Sequence, residues 1–302
     1  MKKVFVIIVT YKGHQWYERC FTSLRNSSYP VQTIVIDNAS NDGTVEYIKN
    51  NFPEIHLIES KENIGFGRAN NLGIKYALDN ACDYVFLLNQ DTWIEPDSIL
   101  KLLELAQKYP EYGVYSPMHV SADKKSLYIE IEDGSTDHAN SLLSDCYFQT
   151  LQDIYTFKYV NAAAWLIKRS TLEVVGGFDP IFFVYGEDDN YLQRMDFHGI
   201  KLGLVPKVQI IHDHFESNSN PTDEYKEYRA EQCKLVRYTN ILEPLSINKY
   251  TLYLYRKYIL SFLSFNKINI SMIQKELNFF NRYKERIQES RKKNIVKGLN
   301  WL

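Results

Sequence analysis

The chain has 302 residues, of which 45% are hydrophobic and 24% charged, and its formal net charge is −2. That length and balance suit a soluble globular protein with one large α/β domain and an appendage, or two domains. The scattered cysteines Cys20, Cys82, Cys146 and Cys233, with no C-x-x-C pair, argue against a zinc site or a disulfide framework and for a reducing compartment. The apolar run after Met1-Lys2-Lys3 is too short for a signal peptide, and no stretch approaches a membrane span. A cytoplasmic protein is expected, with peripheral contact to the inner face of the plasma membrane left open. The charge is unevenly spread: residues 1–224 hold 19 Lys and Arg against 31 Asp and Glu, while residues 225–302 hold 16 against 6. A basic tail on an acidic body suggests an anionic surface or partner for the tail.

In chain order, Lys3–Thr10 reads as a buried strand and His14 to Ser27 as an amphipathic helix. Thr33-Ile34-Val35-Ile36-Asp37 is a second buried strand ending in an acid. A turn cluster at 38–43 follows, and Thr44 can cap a helix over Val45–Asn51. Ile55–Glu59 is a more polar third strand, Asn63–Arg68 opens a helix to about Ala81, and Val85–Asn89 is the fourth strand. This β-α-β-α-β-α-β order predicts a doubly wound, mostly parallel sheet. Beyond it, Pro96-Asp97 start a helix to about Lys108, and Gly113–Val120 and Ser126–Ile131 have strand character. The polar residues 133–153 read as a loop. Tyr159–Lys168 returns to the sheet, Ser170 caps a short helix ending at Gly176-Gly177, a helix runs from about Asp189 to His198, and Gly203–Ile211 is a last strand. From Tyr225 onward the pattern is helical, with breaks near Pro244 and Asn266.

Candidate chemistry collects at strand ends. Val85-Phe86-Leu87-Leu88 runs without alternation, as a strand buried on both faces does, and stops at Asn89-Gln90-Asp91. Ligands bind at that edge of open α/β sheets, and a carboxylate there suits Mg²⁺ or Mn²⁺ or simply ends a strand in a polar turn. Asp37 could accept hydrogen bonds from a base or ribose, or serve as an Asx-turn acid. Arg68 could face a phosphate or solvent. Glu187-Asp188-Asp189 repel one another, so they persist cheaply only if solvated, metal-bound or paired, and Arg194 lies two turns along the same face. His212 and His214 follow a strand, where one could ligate a metal or a phosphate.

The ordered set Val9-Thr10-Tyr11, Val35 to Ser40, Asn63-x-Gly65-Phe66-Gly67, Asn89-Gln90-Asp91, Gly176-Gly177-Phe178-Asp179, Phe182-Phe183, Glu187-Asp188 and His212 resembles glycosyltransferase family 2, in particular its bacterial rhamnosyltransferase-like members. The resemblance covers about residues 3–220. It implies a GT-A fold, a Rossmann-like mixed sheet, with a nucleotide-sugar-binding half (1–92) and an acceptor-binding half (93–222) ahead of a helical, basic extension (223–302). It also implies an inverting transfer from a nucleotide-diphosphate sugar, dTDP-rhamnose or a UDP-sugar, to a glycan or lipid-linked acceptor in cell-surface polysaccharide synthesis.

Carried over position by position, Thr10, Tyr11, Asp37, Asn63, Gly65, Phe66, Arg68, Asn89 and Gln90 would contact the donor. Asp91 and His212 would hold a divalent metal, and Asp188 would be the base with Glu187 beside it. Trp165 and Tyr185 would face the acceptor. Two departures stand out: the D-x-D of the family is Asn89-Gln90-Asp91, and the Asp that usually follows Glu-Asp-x is Asn190. The rival readings are a catalytically inactive glycan-binding or scaffolding relative and a sugar nucleotidyltransferase. No nucleic acid is expected as a partner. Residues 225–302 could meet a membrane or a second subunit.

Overall fold

In the computed structural model, residues 1–127, 136–213, 221–264 and 267–302 are described, the side chains of 136–140 excepted. The first elements are β1 (Val4–Thr10), α1 (His14–Arg25), β2 (Gln32–Asp37), α2 (Thr44–Asn51), β3 (His56–Glu59), α3 (Phe66–Asp79) and β4 (Tyr84–Leu88). Next come β5 (Thr92–Ile94), α4 (Ser98–Lys108), β6 (Tyr112–Ser121), α5 (Thr136–Phe148), β7 (Tyr155–Phe157), β8 (Ala164–Lys168), α6 (Arg169–Val175), α7 (Glu187–Phe197) and β9 (Lys201–His212). One mixed sheet runs in the order β3-β2-β1-β4-β8-β6-β9-β5, with β7 pairing β9. Its β3-β2-β1-β4 half is parallel, and β8 joins β4 antiparallel.

The apolar runs follow from this sandwich. Val4, Val6 and Ile8 pack into one core with Tyr17, Phe21 and Phe86, while Phe5, Ile7 and Val9 enter the other with Ile36, Ala69 and Ile74. A strand covered on both faces needs apolar side chains at every position, and each large one buried contributes about 1.5–3 kcal/mol. The parallel strands deliver Thr10, Asp37 and Asn89 to the same edge, with Thr10 and Asp37 directly in register.

Several local expectations change. Helix α5 lies within the stretch read as a loop; apart from Leu142, its large apolar residues Leu143, Tyr147 and Phe148 are exposed, so no apolar face marked it. Strands β5 and β7 have three residues each, too short to carry a period. Of the strand expected at Ser126–Ile131, Leu127 forms one bridge to Val120, and residues 128–131 lie outside the described residues. The expected break at Asn266 lies outside them as well. Thr44 is not the cap of α2: the N-cap is Gly43, and Thr44, the first helical residue, donates its N–H and hydroxyl to the Asp42 carboxylate. Ser170 lies inside α6, which begins at Arg169.

The chain ends in α8 (Asp223–Thr239), α9 (Ile247–Leu263) and α10 (Lys267–Asn294). Their shared core of Leu235, Leu254, Leu277 and Phe280 also takes in Ile181 and Phe182 from the segment before α7. The buried Asp179 carboxylate accepts hydrogen bonds from Ser290 Oγ (2.5 Å), Asn294 Nδ2 (3.1 Å) and Ile181 N–H (3.0 Å). At Gly176 (φ +79°) an added Cβ would stand 2.2 Å from the Asn300 carbonyl oxygen, so only glycine lets the last residues close over this turn. Among the described residues no helix is long and apolar enough to cross a membrane.

Candidate active site

At the β1–β2 edge a polar lattice sets the loops. Asp37 is buried and accepts from the Thr10 hydroxyl (3.1 Å) and from Ser40 N–H (3.1 Å) and its hydroxyl, the Asx-turn arrangement. Asn38 donates to Asn63 Oδ1 (2.9 Å) and accepts from Ile64 N–H (2.9 Å), so Asn63 holds two loops together. A shallow pocket beside it is lined by Asp37, Ala39, Thr44, Glu59 and Ser60. Tyr11 is 40% exposed, and its backbone is pinned on both sides by the Gln90 amide (2.9 and 3.2 Å).

Asp91 follows at the end of β4. Its Oδ1 stands 3.5 Å from His212 Nε2, because β5 brings Thr92 opposite His212 on β9. That oxygen and the neighbouring Asn89 Oδ1 are buried without a hydrogen bond among the described residues. Leaving such acceptors empty costs about 1–3 kcal/mol each, so the arrangement fits a group that donates or coordinates to them. No cluster of three His, Cys, Asp or Glu able to hold a metal is present among the described residues. Asp91 and Asn89 Oδ1 are hard oxygen donors, and with His212 they are the side chains here that would hold a divalent cation such as Mg²⁺ or Mn²⁺.

The second acidic centre is the first turn of α7. Gly186 (φ +90°) turns the chain so that Glu187 and Asp188 open the helix, where its dipole favours negative charge. Asp188 Oδ2 accepts the Tyr159 hydroxyl (3.0 Å) and Oδ1 accepts Asp189 N–H (3.0 Å), with a further backbone hydrogen bond from Ala162. Burial still holds the Asp188 carboxyl above its ordinary range. Glu187 is 6% exposed and its Oε2 has no hydrogen-bond partner among the described residues. Burial, with Asp188 beside it, pushes it up to about 8. The two carboxyls thus differ: donors surround Asp188, while Glu187, raised to about 8, favours its protonated form at neutral pH.

One dipeptide links the two centres. Asn89 N–H donates to the Ala163 carbonyl (2.9 Å), and Ala162 reaches the Asp188 carboxylate. The Asn89 N–H and the Asp188 carboxylate thus lie about 13 Å apart at most, by the reach of two residues and two hydrogen bonds. The glycine loop before α3 closes a third side. Phe66 N–H donates to the Phe183 carbonyl (2.9 Å), and Gly65 (φ +87°) passes so close that an added Cβ would meet that oxygen at 2.3 Å. Tyr185 is held at φ +70°, a conformation bulky residues rarely adopt. Its hydroxyl meets Tyr225 Oη at 3.2 Å, and the Arg229 guanidinium lies 4.0 Å from its ring centre.

Some expected site residues stand elsewhere. Trp165 has no exposed surface: its ring packs on Phe178 and Tyr191 and its N–H donates to the Val160 carbonyl, so it belongs to the core and not to an acceptor surface. Arg68 donates to the Pro180 carbonyl (2.8 Å), which ties α3 to the segment before α7. Arg194 pairs with no acid of its helix; it is buried and donates to Asn190 Oδ1 and to the Val175 and Gly177 carbonyls. Asn190 in turn bonds Thr239, joining α7 to α8. His214 lies outside the described residues. Tyr159, Tyr225, Arg229 and His119 were not singled out by sequence. His119 is fully buried with its ring 5.8 Å from that of His212, and burial pushes its pKa down to about 3. A polar residue amid the apolar run of β6 was the one available signal for it.

Residues 5–172 match the family model for glycosyl transferase family 2. The chain belongs to that family. The chain is 27% identical over 235 residues to an N-acetylglucosaminyl-diphospho-decaprenol L-rhamnosyltransferase of Mycobacterium tuberculosis, covering 68% of this chain and 75% of that protein. A dTDP-rhamnosyl transferase of Shigella flexneri is 22% identical, covering 69% and 68%. Among solved structures, GalNAc-T7 with UDP, GalNAc and Mn²⁺ matches with a TM-score of 0.58 at 17% identity, over 77% of this chain and 51% of that one. Residues 1–349 of S. aureus TarS match at 0.57 and 12% identity, over 97% and 80%. These neighbours agree with the GT-A fold: a mixed α/β sheet with a helical region after it.

Proposed function

We propose that this glycosyltransferase moves a sugar, rhamnose first among the candidates, from a nucleotide-diphosphate donor to a glycan or lipid-linked acceptor, with inversion at the anomeric carbon. The observation that carries the reading is the Ala162–Ala163 dipeptide, which ties the Asp91 strand end to the Asp188 carboxylate. An acid beside a diphosphate and a base beside an acceptor hydroxyl, one sugar ring apart, are what a single displacement requires. The rhamnosyltransferases among the relatives favour dTDP-rhamnose over a UDP-sugar and cell-surface polysaccharide as the product.

In this reading the nucleoside lies along Tyr11 and the pocket by Asp37, while Thr10, Asn63 and Gln90 shape that wall. Asp91 and His212, with Asn89 beside them, would hold Mg²⁺ or Mn²⁺, which would offset the negative charge gathering on the departing diphosphate. Asp188 takes the proton of the attacking hydroxyl. The Tyr159 hydroxyl and the N–H groups of Ala162 and Asp189 hold its carboxylate in one orientation. Protonated Glu187 adds no second charge to repel the donor. Tyr185, Tyr225 and Arg229 stand on the acceptor side.

The test is a transfer assay with a panel of nucleotide-diphosphate sugars, including dTDP-rhamnose, and a diphospholipid-linked N-acetylglucosamine acceptor. The expected result is one preferred donor and a product of inverted configuration by NMR. Release of no nucleoside diphosphate from any donor would overturn the reading and leave a binding protein.

A further inference from the structure

Helix α9 has two apolar faces. Ile247, Thr251, Leu254 and Ser261 point inward, and Leu254 belongs to the core shared with α8 and α10. At 3.6 residues per turn, Leu252, Tyr255, Ile259, Phe262 and Leu263 fall within an arc of about 100° on another side. These five are 46–68% exposed. Among the described residues nothing covers them.

The charge around this stripe is one-sided. From Pro244 to Lys275 the chain contains Lys249, Arg256, Lys257, Lys267 and Lys275 and no Asp or Glu. All five cations are exposed, and none forms a salt bridge among the described residues. An ordinary solvated helix face carries both signs. An apolar stripe on a segment that carries cations and no acid is complementary to a surface that offers hydrocarbon below and negative charge above.

We infer that the outer face of α9, with the first turn of α10, lies flat on an anionic lipid bilayer and holds the enzyme there. The helix runs about 25 Å, so it lies in the headgroup plane; its inner face is already occupied by α10, which keeps it from inserting end-on.

The test is flotation of the full-length protein with vesicles of phosphatidylcholine alone or with one-third phosphatidylglycerol. Recovery with the anionic vesicles, reduced by high salt, is expected. Each cation near the surface contributes about fivefold. Arg256→Glu/Lys257→Glu should therefore weaken partitioning by at least about twenty-five-fold, and Ile259→Ser/Phe262→Ser should also release the protein. These side chains are exposed, so melting temperatures should match the unchanged chain and separate lost binding from lost folding. Failure to float with either vesicle would overturn the inference. So would a solution dimer that the Ile259→Ser/Phe262→Ser variant converts to monomer in sedimentation, which assigns the face to a second copy of the chain.

Discussion

Asp91 and the Glu187–Asp188 pair stand on either side of the same dipeptide, yet their surroundings call for different partners. Asp91 follows a strand, faces an imidazole at 3.5 Å, and its Oδ1 and that of Asn89 are buried and accept no hydrogen bond among the described residues. Such a place suits a cation. Glu187 and Asp188 open a helix, where burial raises both carboxyls and the neighbouring Asp188 raises Glu187 further. Such a place suits proton transfer. The difference lies in the neighbours, since both centres are carboxylates at the end of a secondary-structure element.

The sharpest way to break the comparison is Asp188→Asn, which keeps shape and removes the basic site. Turnover is expected to fall about 10²–10⁴-fold with donor affinity by calorimetry nearly unchanged, and Asp189→Asn should stay close to normal. A dead Asp189→Asn with an active Asp188→Asn would move the base by one residue. Next in size, Asp91→Ala should cost at least about a hundredfold, the scale of a lost cation contribution. Wild-type activity should vanish in EDTA and return with Mn²⁺ or Mg²⁺. Full activity in excess chelator would remove the cation from this reading.

Glu187 gives a smaller effect with a definite sign. Its carboxyl titrates near 4.5 when unperturbed and is raised to about 8 in the fold, so the folded chain keeps a proton that the unfolded chain has lost. Stability from this group is complete below about pH 4.5 and is lost as pH rises through 8. Glu187→Gln should flatten that slope and melt higher than wild type at pH 8, by a few kcal/mol at most. A parallel pair of melting-versus-pH curves would contradict the buried proton. The smallest effect is expected at Asp179, which anchors α10 beneath the acidic turn. Asp179→Ala leaves Ser290 and Asn294 without their acceptor, at about 1–3 kcal/mol. The melting temperature should drop while the pH profile of turnover keeps its shape.

The parallel half of the sheet was legible in the sequence, because a strand buried on both faces must be apolar throughout and its ends must change character abruptly. That pattern puts Thr10, Asp37 and Asp91 at one edge, where the strands carry them. The acidic turn was legible too, since three adjacent carboxylates are costly without a reason. Periodicity could not find three-residue strands such as β5, although β5 is what sets His212 against Asp91. Nor could it find α5, which buries little of its apolar surface.

Side-chain fates were decided by the tertiary structure alone. Trp165 and Arg194 have the composition of pocket residues, yet both are buried, the first among aromatic rings and the second among backbone carbonyls. Local sequence sets which face of an element is apolar; what that face meets depends on elements far along the chain. The same limit applies to the proton on Glu187. Its charge cost comes mainly from burial against residues far along the chain, such as Gly67 and Phe178, which Arg229 of α8 offsets only in part, and no window of sequence around position 187 contains them.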